Sequence, residues 1–533
     1  MAILGEIIDN DVNGVPITMA LVNGQLRELH TIVDIKNDEI KYLPITNSFA
    51  HKAYLRTLQF ILIKAVYDLY DNNIKVNIKH QLNHGIYGDF NCIVSEREIV
   101  AIKNKMNEII KNDIRIFKNK FSKEEAIKIL NKFQMNDKVE LINSLDLKHV
   151  ILYNLGDMYN YFYGNVGYRT GCIKDYDLIY TNGGFILRYP AEKLPNGLGD
   201  FIEQPKLENI FNENKKWLNI MDLPNVGKLN SNILNNNFID TIRTNEALHD
   251  KKIAEIATDI YNRKNVRMVL IAGPSSSGKT TFCNKLSYSL KCNGVKTFPI
   301  SLDDFFVERN ETPIDEFGKL DYECVEALDL KLLNETFEKI LNGEEVQLPT
   351  FDFKNGTKTY DSSKKIKLPE NGILLIEGIH GLNDKLTSHI HRDNKYKIYL
   401  SPLTGLNIDR HNRVSPTDVR KCRRIVRDIL SRGCPAERTL KMWDSIRRGE
   451  QRYIYKFVEE SDVTFNTSLV YEINILKKHV IKELQKIEID NEVYNEAQRL
   501  IEFLKLFVDI DDKCVPEDSL IREFIGGSCF YNY

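Results

Sequence analysis

The sequence predicts a multidomain α/β protein: a parallel sheet flanked by helices in its C-terminal part, preceded by a small β-rich module and an α+β domain. Three observations carry this. The chain has 533 residues, which at roughly 100–200 residues per domain implies three to four domains. Beyond Asn265, short apolar runs alternate with helical patterns, as strands buried on both faces do. The N-terminal stretch instead mixes period-two runs with long helical spacing. Composition excludes other classes. With 42% hydrophobic and 28% charged residues, 28 Gly and 15 Pro, collagen-like, low-complexity and disordered chains are ruled out. Lys plus Arg number 73 against 75 Asp plus Glu, a net charge of −2, so bulk electrostatics cannot hold nucleic acid or acidic lipid, although a local basic patch remains open.

Nine cysteines are scattered without a C-x-x-C pair, which supports neither a disulfide framework nor a zinc ribbon. The opening MAILGEIIDN lacks a basic n-region and an apolar h-region, and no apolar run approaches the ~18 residues of a membrane span. The expectation is a reduced, cytoplasmic protein without a membrane partner.

In chain order, Ile17 to Val22 and Glu39 to Leu43 read as strands, with Asn23-Gly24 suited to a tight hairpin. Leu55, Leu58, Phe60, Leu62, Ala65, Val66 and Leu69 recur at helical spacing, and further helices are expected over Ser95 to Asn112 and Ser122 to Phe133. The Asn-rich stretch from Glu203 to Asn237 reads as a connection more than a core element. Thr244 to Tyr261 is again helical. Strands are expected at Val266–Ala272, Lys296–Leu302, Gly372–Ile376, Tyr396–Leu400 and Val463–Phe465, and the tail from Lys477 is helical.

Gly273-Pro-Ser-Ser-Ser-Gly278-Lys279-Thr280 fits G-x-x-x-x-G-K-[ST] between a strand and a helix, the context the motif requires. Its glycines let consecutive N–H groups point at phosphate oxygens, and the next helix presents its N-terminus to the same anion. Lys279 can reach the β- and γ-phosphates, and the Thr280 hydroxyl can ligate Mg²⁺. The candidate ATP-binding residues are Gly273, Ser275, Ser276, Ser277, Gly278, Lys279, Thr280 and Thr281. Two further strands end in Asp303-Asp304 and in Glu377-Gly378, at the carboxyl ends where open α/β sheets bind ligands. One carboxylate can hold Mg²⁺ while another accepts a proton; the alternative for each is a helix cap.

Arg410, Arg413, Arg420, Lys421, Arg423, Arg424, Arg427 and Arg432 fall within 23 residues holding only two acids, Asp418 and Asp428. Arg420, Arg423, Arg424 and Arg427 share one helix face. So much like charge needs an anion or an acidic partner. An arginine lid over transferring phosphates accounts for it; a solvated or RNA-binding face is the alternative, without interleaved aromatics to support it.

GPSSSGKTT, ISLDDFF, LPTFDF, LLIEGIHGL and RRIVRDILSRG, in that order, resemble the uridine–cytidine kinase branch of the phosphoribulokinase/uridine kinase family, over about Val266 to Lys477. The resemblance implies that Asp303 is the base for a ribose hydroxyl, that Glu377 and Thr280, with Asp303 nearby, hold Mg²⁺, and that Arg424 and Arg427 are lid arginines. Phe306, Glu326, Phe351 and Arg424 fall on substrate-contacting positions. Departures are Phe306 and Phe351 for tyrosines, Gly356 for a histidine, Glu326 for Asp, Cys434 for an arginine and Met442 for a glutamine. Base-reading positions are thus changed while catalytic positions, Lys279 included, are kept.

ALVNGQLREL resembles the TGS module, a β-grasp fold, and the helix Tyr54–Tyr70 with NHGIYGDF resembles the second additional domain of threonyl-tRNA synthetase. Arg56 and Phe60 stand where that family's editing site has histidines, so metal-linked editing is not expected. His80 and His84 read as surface histidines. The implied division is a TGS-like module at 1–47, a synthetase-like α+β domain at 48–200, a connecting segment and helix at 201–262, a P-loop domain at 263–485 and a helical tail at 486–533. The implied activity is ATP- and Mg²⁺-dependent phosphoryl transfer to a hydroxyl of a nucleoside. The alternatives are a regulatory or RNA-associated nucleotide-binding protein, or a kinase for a sugar phosphate or vitamin precursor. The oligomeric state stays open.

Overall fold

The structure, a computed structural model, describes residues 1–8, 11–82, 85–181, 183–352 and 355–531. His84 and Phe353, and with them parts of the NHGIYGDF and LPTFDF stretches, lie outside the described residues. The N-terminal module is a small antiparallel sheet in which Val15–Val22 pairs with Gln25–Glu28 and with Ile40–Pro44. Asn23 and Gly24 turn the hairpin with φ of 50° and 76°, the two positive values that a two-residue turn of matching twist needs.

Helix Ser48–Tyr70 follows, capped by the Asn47 side chain and buried from Tyr54 through Val66 along most of its circumference. It packs among helix Glu96–Lys111 and two antiparallel sheets. The helices Glu96–Lys111 and Lys123–Lys132 both start in capping boxes, Ser95 with Glu98 and Ser122 with Glu125, which satisfy two otherwise unpaired N–H groups each. The GIYGDF part of the expected synthetase-like turn is a strand, Gly85–Phe90, paired with Val76–Leu82. His80 is not a surface histidine. It lies in Val76–Leu82 and stacks on Phe211 at 3.4 Å between ring centroids, and burial lowers its pKa to about 3.

The Asn-rich stretch is corrected too: it forms helices Pro205–Ile220 and Val226–Leu234. Trp217, Val226, Leu229 and Ile233 are buried, and Asn230 reaches the Leu506 carbonyl at 2.8 Å. The apolar residues were present but interleaved with Asn, and tertiary packing overrode the low helix propensity of Asn.

The C-terminal part carries five parallel strands: β1 (Met268–Ala272), β2 (Lys296–Ser301), β3 (Gly372–Glu377), β4 (Lys395–Ser401) and β5 (Val463–Asn466), in the order β2-β3-β1-β4-β5. Strands β1, β3 and β4 are buried throughout, and each fully buried Leu or Ile contributes about 1.5–3 kcal/mol. Helix α1 (Lys279–Cys292) connects β1 to β2, and α2 (Pro416–Arg432) and α3 (Ala436–Tyr453) lie between β4 and β5. Helix α4 (Glu472–Leu484), helix Tyr494–Leu504 and the short α5 (Arg522–Ile525) follow. Residues of 218–260 and 497–524 share one core with the sheet. Register aligns Ile271 with Glu377, Ser301 with Glu377, and Ala272 with Tyr399. The carboxyl ends of β1, β2 and β3 therefore lie level, with β1 central, so the loops after them open on one side of the sheet. No helix is long and apolar enough to cross a membrane among the described residues.

Candidate phosphate-binding and catalytic site

The loop after β1 curls through two left-handed residues, Ser276 at φ 60° and Gly278 at φ 87°. Alternating this conformation with right-handed residues turns neighbouring N–H groups inward and makes an anion-binding concavity. Gly273 admits no side chain, because a Cβ there would stand 2.6 Å from the Leu400 carbonyl oxygen. Lys279 Nζ folds back to the carbonyls of Gly273 and Pro274 at 3.2 and 3.4 Å. The hydroxyls of Ser276 and Ser277, 2% and 0% exposed, have no hydrogen-bond partner among the described residues, and phosphate oxygens would supply one. Thr280 is exposed at the start of α1.

Two carboxylates join the loop from neighbouring strands. Glu377, the last residue of β3, accepts a hydrogen bond from Ser301 Oγ at 2.8 Å. Burial raises its pKa to about 7, Lys279 pulls it down and Asp303 pushes it up, so the three groups share one field. Asp303 sits in the turn after β2, beside Asp304, whose carboxylate receives the Phe351 N–H at 3.2 Å. That bond brings Phe351 to Phe306, with ring centroids 5.7 Å apart. Thr280, Glu377 and Asp303 offer hard oxygen donors of the kind Mg²⁺ takes, with remaining positions left to phosphate oxygens and water. Among the described residues no three His, Cys, Asp or Glu side chains form a metal cluster, so these side chains build no cage of their own.

The arginines back the loop from α2. Arg420 donates to the Ser275 carbonyl at 3.0 Å, Arg423 to the Ser276 carbonyl at 3.4 Å, and Arg424 to Ser275 Oγ at 2.7 Å. Arg427 binds Asp428 at 2.7 Å. A solvated or RNA-binding face is excluded for Arg420, Arg423 and Arg424, which are 5%, 0% and 7% exposed. Their charge is met by acids: Glu450 and Glu472, distant in sequence, bond Arg420 and Arg423, while Asp428, one turn along the same helix, bonds Arg424. The helix is therefore a packed support for the phosphate loop.

One expected residue stands elsewhere, and another is in place but already bonded. Glu326 is exposed and pairs with Lys385 at 3.3 Å, because the 3-10 turn Val325–Ala327 buries its neighbours Val325 and Ala327 and turns the acid outward. Glu323, which sequence reasoning missed, faces the site. Burial raises its pKa to about 7, Glu450 adds to this, and Arg424 and Lys279 oppose it. Thr281 gives both its N–H and its hydroxyl to Glu523.

Residues 268–473 match the family described as Phosphoribulokinase / Uridine kinase family. Uridine kinase of Macrococcus caseolyticus is 29% identical over 178 residues, 33% of this chain and 76% of that protein. Threonine–tRNA ligase of Thermotoga petrophila is 31% identical over 171 residues, 31% of this chain and 26% of that protein. The chain thus spans about a quarter of the length of the threonine–tRNA ligases that it matches. The solved structure of a possible uridine kinase from Bacillus stearothermophilus aligns with 40% of this chain and 98% of that one, at 19% identity and a TM-score of 0.29. The chain joins a uridine kinase-like P-loop region to an N-terminal region similar to threonine–tRNA ligase.

Proposed function

We propose that this chain, whose residues 268–473 match the phosphoribulokinase/uridine kinase family, is a cytoplasmic kinase that moves the γ-phosphoryl group of ATP to a hydroxyl of a nucleoside. The observation that carries the reading is convergence. The loop Gly273–Thr280, Asp303 and Glu377 leave three adjacent strands at one level of the sheet, and Arg424 closes the set on Ser275.

Phosphoryl transfer asks the protein mainly for positioning and charge stabilisation. The loop amides, Ser276 and Ser277 hold the phosphate chain, and Lys279 swings from the Gly273 carbonyl to the β- and γ-oxygens. Thr280, Glu377 and Asp303 would hold Mg²⁺, which when bound neutralises charge on the phosphate oxygens. Asp303 accepts the proton of the acceptor hydroxyl as its oxygen bonds to the γ-phosphorus and the bond to the β-phosphate oxygen breaks, releasing ADP. Arg424 stabilises the charge on the transferring group. Phe306 and Phe351 offer apolar ring faces for a base, and Glu323 supplies a carboxyl for a sugar hydroxyl. The changed polar positions Gly356, Cys434 and Met442 leave the choice of base to shape and stacking.

The test offers the purified protein ATP, Mg²⁺ and a panel of nucleosides, sugar phosphates and vitamin precursors. A phosphorylated nucleoside is expected, with kcat reduced about 10²- to 10⁴-fold in Asp303→Asn. No nucleoside product, or equal turnover by wild type and Asp303→Asn, overturns the reading.

A further inference from the structure

In this loop class the amides of the loop and of the first helical turn cradle the α- and β-phosphates, while the lysine serves the β- and γ-phosphates. Thr281 lies in that first turn, where helix N–H groups lack intrahelical partners. Its N–H and its Oγ1 both donate to Glu523 Oε2, each at 3.0 Å, and its Oγ1 also meets the Tyr531 hydroxyl at 2.5 Å. A carboxylate of the C-terminal segment therefore holds the corner of the loop that the α-phosphate of a nucleotide would take.

The backbone bearing Glu523 is anchored. Leu520, Ile521 and Phe524 are 1%, 0% and 1% exposed, Arg423 lies over the Phe524 ring at 5.1 Å, and Ser519 donates to the buried Glu246. Leu520 also presses on the loop, with its Cδ2 2.9 Å from where a Cβ on Gly278 would stand. Arg522 is bound by the carbonyls of Asp512 and Val515. Clearing Thr281 therefore requires the buried Glu523 side chain to turn away while the segment stays packed.

We propose that Glu523 determines which phosphate donor the loop admits. A nucleoside triphosphate enters only as the carboxylate leaves Thr281, whereas a chain lacking the α-phosphate, such as pyrophosphate, fits the loop and Lys279 with Glu523 in place. A carboxylate and a phosphate oxygen cannot share two hydrogen-bond donors, and both are anions, so the contact acts against ATP far more than against pyrophosphate, which does not compete for those donors. This inference rests on reading the loop as the ATP site.

Dissociation constants for ATP and for pyrophosphate, each with Mg²⁺, would be measured by calorimetry on full-length wild type, Glu523→Ala and Glu523→Gln. Removing the carboxylate is expected to tighten ATP binding about tenfold, the weight of hydrogen bonds to a charged group, and to leave pyrophosphate within about twofold. Glu523→Gln keeps the side-chain shape and one acceptor oxygen, and so serves if the alanine variant does not fold; it is expected to tighten ATP by a smaller factor. Unchanged or weaker ATP binding in folded variants overturns the proposal, as does an equal gain for pyrophosphate. If wild type binds pyrophosphate and none of the three proteins binds ATP, the nucleotide reading itself falls and the proposal with it.

Discussion

At Glu323, burial and the Glu450 carboxylate lift the carboxyl from 4.5 to about 7 against the pull of Arg424 and Lys279, and its Oε2 has no hydrogen-bond partner among the described residues. A carboxyl whose folded pKa lies above its unfolded value favours the folded state while protonated. The contribution is whole below pH 4.5 and is lost as pH rises through about 7, because the unfolded chain releases its proton first. The loss amounts to about 3 kcal/mol at most. Glu323→Gln is expected to flatten the fall in stability between pH 5 and pH 8, measured by urea unfolding at each pH; an unchanged slope would refute it. Phe351 carries a second expectation at this scale. A ring pair adds about 1 kcal/mol beyond its area, so Phe351→Ala should raise KM for an aromatic-base acceptor roughly tenfold and change kcat less.

Helix α2 shows how an element can be strongly charged and still belong to the core. Arg423 is fully buried, and Glu472 of α4 meets its Nε at 2.5 Å. Desolvating such a pair is costly, and removing one member leaves a buried charge without compensation. Glu472→Ala should therefore destabilise the protein by about 3–5 kcal/mol in denaturant titration, while replacing both residues with Met should cost markedly less. A double variant as unstable as Glu472→Ala would show that the arginine's bonds to Ser276 and Thr467 matter more than the ion pair. The same helix connects to the N-terminal region: Arg499 bonds Asp418 at 2.6 Å, and burial within that cluster lowers the pKa of Lys52, from helix Ser48–Tyr70, to about 8.

Across the whole molecule, the loop between β4 and α2 is bonded into the N-terminal part. The Ile78 N–H donates to the Arg410 carbonyl at 2.8 Å and Asn407 donates back to the Ile78 carbonyl at 2.8 Å. Beside them Lys138 and Asp409 form an ion pair at 2.7 Å with both side chains 0% exposed. An interface carrying a buried charge pair and hydrogen bonds to the Ile78 backbone is expected to couple the two regions, so that calorimetry shows one unfolding transition. Lys138→Ala, which strands the Asp409 carboxylate, should cost about 3–5 kcal/mol and separate that transition into two. A single unshifted transition would show that the contact is dispensable. Through this loop the N-terminal region also reaches the arginine helix, which begins at Pro416 only a few residues after Asp409.

The sequence by itself determined the five strands, the phosphate loop with its helix and the Asn23-Gly24 hairpin, because each is written within a few consecutive residues as a period, a motif or a turn. It also placed Asp303 and Glu377, since an acid directly after a strand needs no distant information. Only the tertiary structure decided which partners those residues meet. Glu450 and Glu472 stand 30 and 49 positions from the arginines that they neutralise, and Glu523 stands 242 positions from Thr281. It also turned Glu326 outward to Lys385 and folded the Asn-rich stretch into helices. Periodicity and motif spacing are local, whereas charge pairing, burial and the occupancy of a hydrogen-bond donor arise where separate segments pack, and no local pattern records that contact.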